Sequence, residues 1–136
     1  MPDAPAFIYT LEVRWGDMDA FGHVNNSTYF TYFEQARIAW LGTLPEGDLG
    51  GSHGPVVAQA ACTYKRPVRY PATLQIEVRV GALGRSRLPT TYVVRHDKAV
   101  VATGEALLVW VDLNTGRPRS LPDAIRTALT PPDADA

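Results

Sequence analysis

Cysteine occurs once in this chain of 136 residues, at Cys62, which excludes an internal disulfide framework. Cys62 lies in an apolar, strand-like run, where a thiol serves better as a small buried hydrophobe than as a nucleophile. The three histidines, His23, His53 and His96, are far apart, and none has a partner at ligand spacing, so no metal site is expected. No Ser or Cys sits in a nucleophile elbow and no glycine-rich phosphate loop follows a strand, so no bound cofactor is expected. Neither sign of charge is in excess. A formal net charge of -1 and a pI of about 6.3 argue against nucleic acid or a membrane surface as partner. No apolar run approaches the length of a membrane span, and Met1 to Thr10 has neither a basic n-region nor a long apolar h-region. The expected location is cytoplasmic. Repeats and low-complexity blocks are absent too.

What remains is a chain of ordinary globular composition, 46% hydrophobic and 20% charged, with the length of one domain over residues 1–136. Phe7 to Trp15 carries β-formers with Glu12 and Arg14 on the alternate phase, the pattern of a first strand. Ser27 to Leu41 lacks Gly and Pro and stops at Gly42, as a helix does. Tyr29, Phe33, Ala36 and Trp40 follow helical spacing, and Phe30, Ile38 and Leu41 widen the apolar face almost all round, so other structure should wrap this helix. Thr43 to Pro55 is glycine-rich loop. Strands are then predicted over Val56 to Val68, Leu74 to Val80, Leu88 to His96 and Ala99 to Asp112, with Asp97-Lys98 as a tight hairpin turn. A short helix near Pro122 to Leu129 precedes a tail expected to fray over 131–136.

Short connections make successive strands antiparallel. The expected fold is therefore α+β, a curved five-stranded antiparallel sheet wrapped around one long helix. Such a sheet leaves edges open, and pairing with a second copy is the economical remedy. A homo-oligomer is expected, either a dimer or a tetramer built as a dimer of dimers.

The junction between first strand and helix holds the chemistry. Arg14 to Asn26 packs two carboxylates, an imidazole, two glycines and two carboxamides into thirteen positions. A polar turn with an asparagine cap would use part of that mixture. A reacting carboxylate beside free helix-start N–H groups would use all of it. Glu34 and Arg37, three apart on the helix, should form an ion pair. Lys65, Arg66, Arg69, Arg79, Arg85 and Arg87 fall in one quarter of the chain, a candidate anion site.

The segment Asp17, Asp19, Gly22, His23, Val24, Asn25, Asn26, Tyr29, Glu34 and Arg37 resembles the signature of hotdog-fold acyl-CoA thioesterases of the 4-hydroxybenzoyl-CoA thioesterase-like group. Arg66-Pro67-Val68-Arg69-Tyr70-Pro71 and Thr115-Gly116-Arg117-Pro118 extend the likeness along the chain. The resemblance implies a hotdog fold and an acyl-CoA substrate. It implies Asp19 as the catalytic carboxylate, either nucleophile or general base, and the backbone N–H of Asn26 as donor to the thioester oxygen. His23 belongs to a proposed catalytic set in one branch of the fold, but its asparagine partner is replaced here by Phe21. Its open roles are orienting Asp19, binding the substrate carbonyl, or satisfying the turn. Asp17, three residues from Arg14, reads as a structural ion-pair partner. Gly22, Phe21 and Tyr29 are expected to line the substrate site, and Arg66, Arg85, Ser86 and Arg87 to meet the coenzyme phosphates. A hydratase or dehydratase on the same fold, and a non-catalytic acyl-binding subunit, are the alternatives. The position of Asp19 ahead of the helix favours hydrolysis.

Overall fold

The computed structural model describes residues 4–45 and 51–130. The tail predicted to fray, 131–136, and residues 46–50 of the predicted glycine-rich loop lie outside the described residues. The chain forms β1 (Phe7–Glu12), a 3-10 turn (Trp15–Asp17), α1 (Thr28–Leu41), β2 (His53–Tyr64), β3 (Thr73–Val80), β4 (Arg87–His96), β5 (Ala99–Asp112) and α2 (Asp123–Leu129). The strands make one antiparallel sheet in the order β1-β3-β4-β5-β2. The expected α+β hotdog architecture is thus present, and β1 and β2 are its open edges.

Period-two patterning sets the core face. Leu74, Ile76 and Val78 of β3 are fully buried, as are Leu88, Tyr92 and Val94 of β4 and Leu108 and Trp110 of β5. Against them α1 lays Tyr29, Tyr32, Phe33, Ala36, Trp40 and Leu41. Phe33 stacks on Tyr92 with ring centroids 4.7 Å apart. It reaches the sheet over Gly104, where a β-carbon would run into its ring. Among the described residues Thr90 is the other buried polar side chain beside Asp17. Its hydroxyl donates to Ala106 C=O at 2.8 Å and accepts from the Tyr92 hydroxyl at 2.7 Å, so it costs the core little.

Several expectations are corrected. The first strand stops at Glu12 instead of Trp15, because the Asp17 carboxylate takes the Arg14 N–H at 2.9 Å and bends the chain out of the ladder. Trp15 turns outward and is 73% exposed. β2 begins at His53 instead of Val56 and ends at Tyr64 instead of Val68. It contains Pro55, which an edge strand tolerates because one row of its donors has no neighbour. At its far end Lys65 and Arg66 N–H both turn onto Val101 C=O, closing the strand before Pro67. The apolar face of α1 is not buried all round: Phe30 and Ile38 are exposed. Glu34 and Arg37 are not among the ion pairs of the described residues, since exposed Glu34 gains as much from water as from a screened partner.

Candidate active site

The turn between β1 and α1 is built by its own polar groups. Met18 and Val24 form an isolated antiparallel bridge, and Asp19 N–H donates to His23 C=O at 2.9 Å. Gly22, at φ +80, allows the chain to reverse between them. Val24 N–H is tied to Val68 C=O at 2.8 Å, so the turn is anchored to the segment after β2.

The two aspartates have separate environments. Asp17 is 5% exposed. It accepts from Arg14 N–H at 2.9 Å, from Arg14 Nε at 3.0 Å and from the Tyr32 hydroxyl at 2.8 Å. Burial pushes its carboxyl up, but these donors and the Arg14 charge outweigh it and hold it below the ordinary carboxylate value. Tyr32 is correspondingly pushed far up, by burial and by the Asp17 carboxylate. Asp17 is engaged on both oxygens, as its predicted structural role requires.

Asp19 accepts one hydrogen bond at Oδ1, from Phe21 N–H at 2.9 Å. Oδ2 has no partner among the described residues. Asp19 lines a cavity of about 500 Å³ together with Phe21, His23, Asn26, Tyr29 and Arg66. Six residues named from the sequence therefore meet at one hollow. His23 makes no side-chain hydrogen bond to Asp19 among the described residues; its carbonyl, not its ring, holds the turn. The side chain of Asn25 accepts Ser27 N–H at 3.0 Å and its carbonyl accepts Thr28 N–H at 2.9 Å. The Asn26 N–H, at the start of α1, has no partner among the described residues. Donors left open at a helix start face the positive end of the helix dipole and suit an oxygen that gains negative charge.

Tyr64, which lines this cavity, was not read from the sequence as a site residue, and Lys65 entered only as part of the basic cluster. The Tyr64 hydroxyl donates to Asn26 C=O at 2.7 Å, across thirty-eight positions of sequence. No local pattern could have signalled it. Three predicted residues lie elsewhere. Tyr64 pairs with Ala102 on β5, whereas Ser86 C=O accepts Trp110 N–H; eight residues of strand separate these points by about 26 Å. Arg85, Ser86 and Arg87 thus sit at the opposite end of the sheet from Asp19 in the same chain. A larger hollow of about 870 Å³ lies on the far side of the Arg14–Asp17 turn, between β1, α1 and Tyr70. Its buried carboxylate, Asp17, is fully occupied. Glu12 also lines that hollow, but only the smaller cavity joins an open carboxylate to the open Asn26 N–H. Among the described residues no group of three His, Cys, Asp or Glu side chains is placed to hold a metal ion, and no helix is long and apolar enough to cross a membrane.

A five-stranded antiparallel sheet with one long helix is the hotdog architecture. The chain belongs to the Thioesterase-like superfamily, whose family model matches residues 13–129. Its fold is shared with the PA2801 protein of Pseudomonas aeruginosa, at 40% identity and a TM-score of 0.87 over 93% of this chain and 99% of that one. A thioesterase of Thermus thermophilus, solved in complex with coenzyme A and Zn, is 34% identical with a TM-score of 0.82, covering 93% of both chains. The acyl-CoA thioester hydrolase YbgC of Escherichia coli is 27% identical over 123 residues, 88% of this chain and 92% of its own.

Proposed function

We propose that this protein hydrolyses an acyl- or aryl-CoA thioester to a carboxylic acid and free coenzyme A. The observation that carries this reading is that one cavity is lined by Asp19 and Asn26, whose Oδ2 and N–H, just ahead of α1, are both without partners among the described residues. The thioester carbonyl oxygen lies against Asn26 N–H, which stabilises the negative charge that builds there; one such donor is worth about 3 kcal/mol or more. Asp19 acts from the other side. As general base it takes a proton from water as the water oxygen bonds to the carbonyl carbon. As nucleophile it forms a mixed anhydride that water then opens. In both routes the C–S bond breaks, the sulfur leaves with the electron pair, and it is protonated to the free thiol.

The family membership and the named relatives support hydrolysis over hydration of the acyl chain. Phe21 and Tyr29 at this cavity suit an acyl or aryl group. His23 lines the same cavity with its ring free of partners among the described residues, which supports substrate contact over orientation of Asp19. Arg66 is the arginine at the cavity mouth that suits a coenzyme phosphate.

Arg85, Ser86 and Arg87 meet the same coenzyme only if a second copy supplies them. An antiparallel pairing of two β2 edges brings the far end of one sheet toward the Asp19 cavity of the other. Exposed Val56 and Val57 on β2, with Phe30 of α1 beside them, give that edge an apolar flank. The protein is thus proposed to work in the cytoplasm as a single-domain chain in a homodimer, or in a tetramer built from such dimers.

Thiol release measured over a panel of acyl-CoAs tests the reaction. Asp19→Asn should lower the rate at least a hundredfold with little change in KM. Equal release by Asp19→Asn and the unsubstituted protein would end the proposal.

A further inference from the structure

Over residues 25–28 the Asn26 N–H is open among the described residues while its neighbours are taken. Asn25 N–H donates to Asp17 C=O at 2.9 Å, Asn25 C=O accepts Thr28 N–H at 2.9 Å, and Ser27 N–H donates to Asn25 Oδ1 at 3.0 Å. The C=O of Asn26 is tied differently. It accepts the Tyr64 hydroxyl at 2.7 Å, from the last residue of edge strand β2. Resting on the hydrolytic reading above, we infer that Tyr64 is a positioning residue: its hydroxyl locks the Asn26–Ser27 peptide and thereby keeps the Asn26 N–H fixed and open to the cavity.

The direction of the Asn26 N–H depends on the two peptide planes that flank its α-carbon. The plane before it is held through Asn25 C=O. The plane after it is held at both ends, by Tyr64 on the carbonyl and by Asn25 Oδ1 on the Ser27 N–H. Removing the Tyr64 hydroxyl leaves that second plane with a single tie, from a side chain in the same exposed turn. A helix start held only by its own turn frays readily. A donor to a developing oxyanion contributes in proportion to how little it must reorganise when charge appears. Tyr64 is 43% exposed, but its ring is held on one side. The Tyr64 ring meets Tyr29 edge-on at 5.4 Å, and Tyr29 is buried. Burial, with Cys62 nearby, pushes the Tyr64 phenol up to about 12, so it is a hydroxyl donor throughout the working range of a cytoplasmic enzyme.

Asn26 and Tyr64 thus join two parts of the chain that share no ladder. Tyr64 touches the reaction through Asn26, not through the substrate carbonyl. The Tyr64→Phe change takes away one oxygen and leaves the ring against Tyr29, so folding should survive, as thermal melting will verify.

Steady-state rates with an acyl-CoA substrate then distinguish positioning from packing. Tyr64→Phe should lower kcat about five- to tenfold while KM stays within about twofold. Affinity for a thioether analogue of the substrate, which lacks the carbonyl, should not change. Asn25→Ala, which cuts the opposite tie, should give the same signature. An unchanged kcat in Tyr64→Phe, beside a strong loss in Asp19→Asn, would overturn the clamp alone. A loss confined to KM and to analogue binding would overturn it too, by making Tyr64 a wall of the pocket. Equal rates in Asp19→Asn and the unsubstituted protein would instead remove the hydrolytic reading, and the clamp with it.

Discussion

Two aspartates two positions apart should fail in opposite ways when removed, and Asp17 is the sharper case. Asp17→Ala deletes the acceptor for the Tyr32 hydroxyl, on a residue 4% exposed, and for the Arg14 N–H. The Arg14 side chain is 74% exposed and turns to water at little cost. The loss is therefore dominated by two stranded donors at about 1–2 kcal/mol each, or about 3 kcal/mol in all. For a chain of this length that lowers Tm by about 10 °C. Asp17→Asn keeps one acceptor oxygen and should cost about half as much. Urea unfolding measures both. Tyr32→Phe should cost about 1 kcal/mol alone but recover about 1–2 kcal/mol in the Asp17→Ala background, because there it removes a stranded hydroxyl. The pH dependence has a definite sign. The Asp17 carboxyl sits below its ordinary value when folded, so its contribution is complete above about pH 4 and fades as pH falls further, through the folded value. Asp17→Ala should flatten that acid limb. Turnover per folded molecule should change little. A variant that melts within 1 kcal/mol of the unsubstituted protein, or one that stays folded but stops turning over, would refute the division of labour between Asp17 and Asp19.

Gly104→Ala drives a β-carbon into the Phe33 ring and should destabilise by about 1–3 kcal/mol, read by urea unfolding, with Phe33→Leu in the same chain recovering part of the loss. Arg85→Ala with Arg87→Ala should raise KM for acyl-CoA about tenfold or more, and leave KM for a short acyl thioester without the nucleotide unchanged. Mixing that double variant with Asp19→Asn should restore activity at one site per mixed dimer; no recovery would place the coenzyme contacts and the carboxylate in one chain.

Most of the frame was legible because it is written locally. α1 starts one residue after its predicted start, and β5 has its predicted bounds, Ala99 to Asp112. Asp97 and Lys98 form the predicted hairpin turn, both at positive φ, as a primed turn requires. The misread elements are those where a distant or side-chain partner decides. Asp17 capturing a backbone donor ends β1 early. The edge position of β2, which depends on sheet order, admits Pro55. Phe30 and Ile38 read as core from helical spacing, yet the sheet of one chain does not reach them. At the site, Asp19, Phe21, Gly22, His23 and Asn26 span eight positions, so a sequence window captures them together. Tyr64 enters through one hydrogen bond from the sheet edge. The distance between Arg85 and Asp19 follows from strand direction and register, which residue types do not encode.

The single bond from Phe21 N–H to Asp19 Oδ1 makes the two carboxylate oxygens inequivalent before any substrate arrives. A half-turn about the Cβ–Cγ bond would exchange them only by breaking that contact. The oxygen left open is therefore selected by the turn itself, and in the proposed hydrolysis the rotational freedom that selection removes is given up during folding instead of in the reaction. Gly22 permits the turn, the turn places the Phe21 amide, and the amide fixes the carboxylate plane. A carboxylate with two equal oxygens in the sequence becomes one with a tied and an open oxygen in the fold.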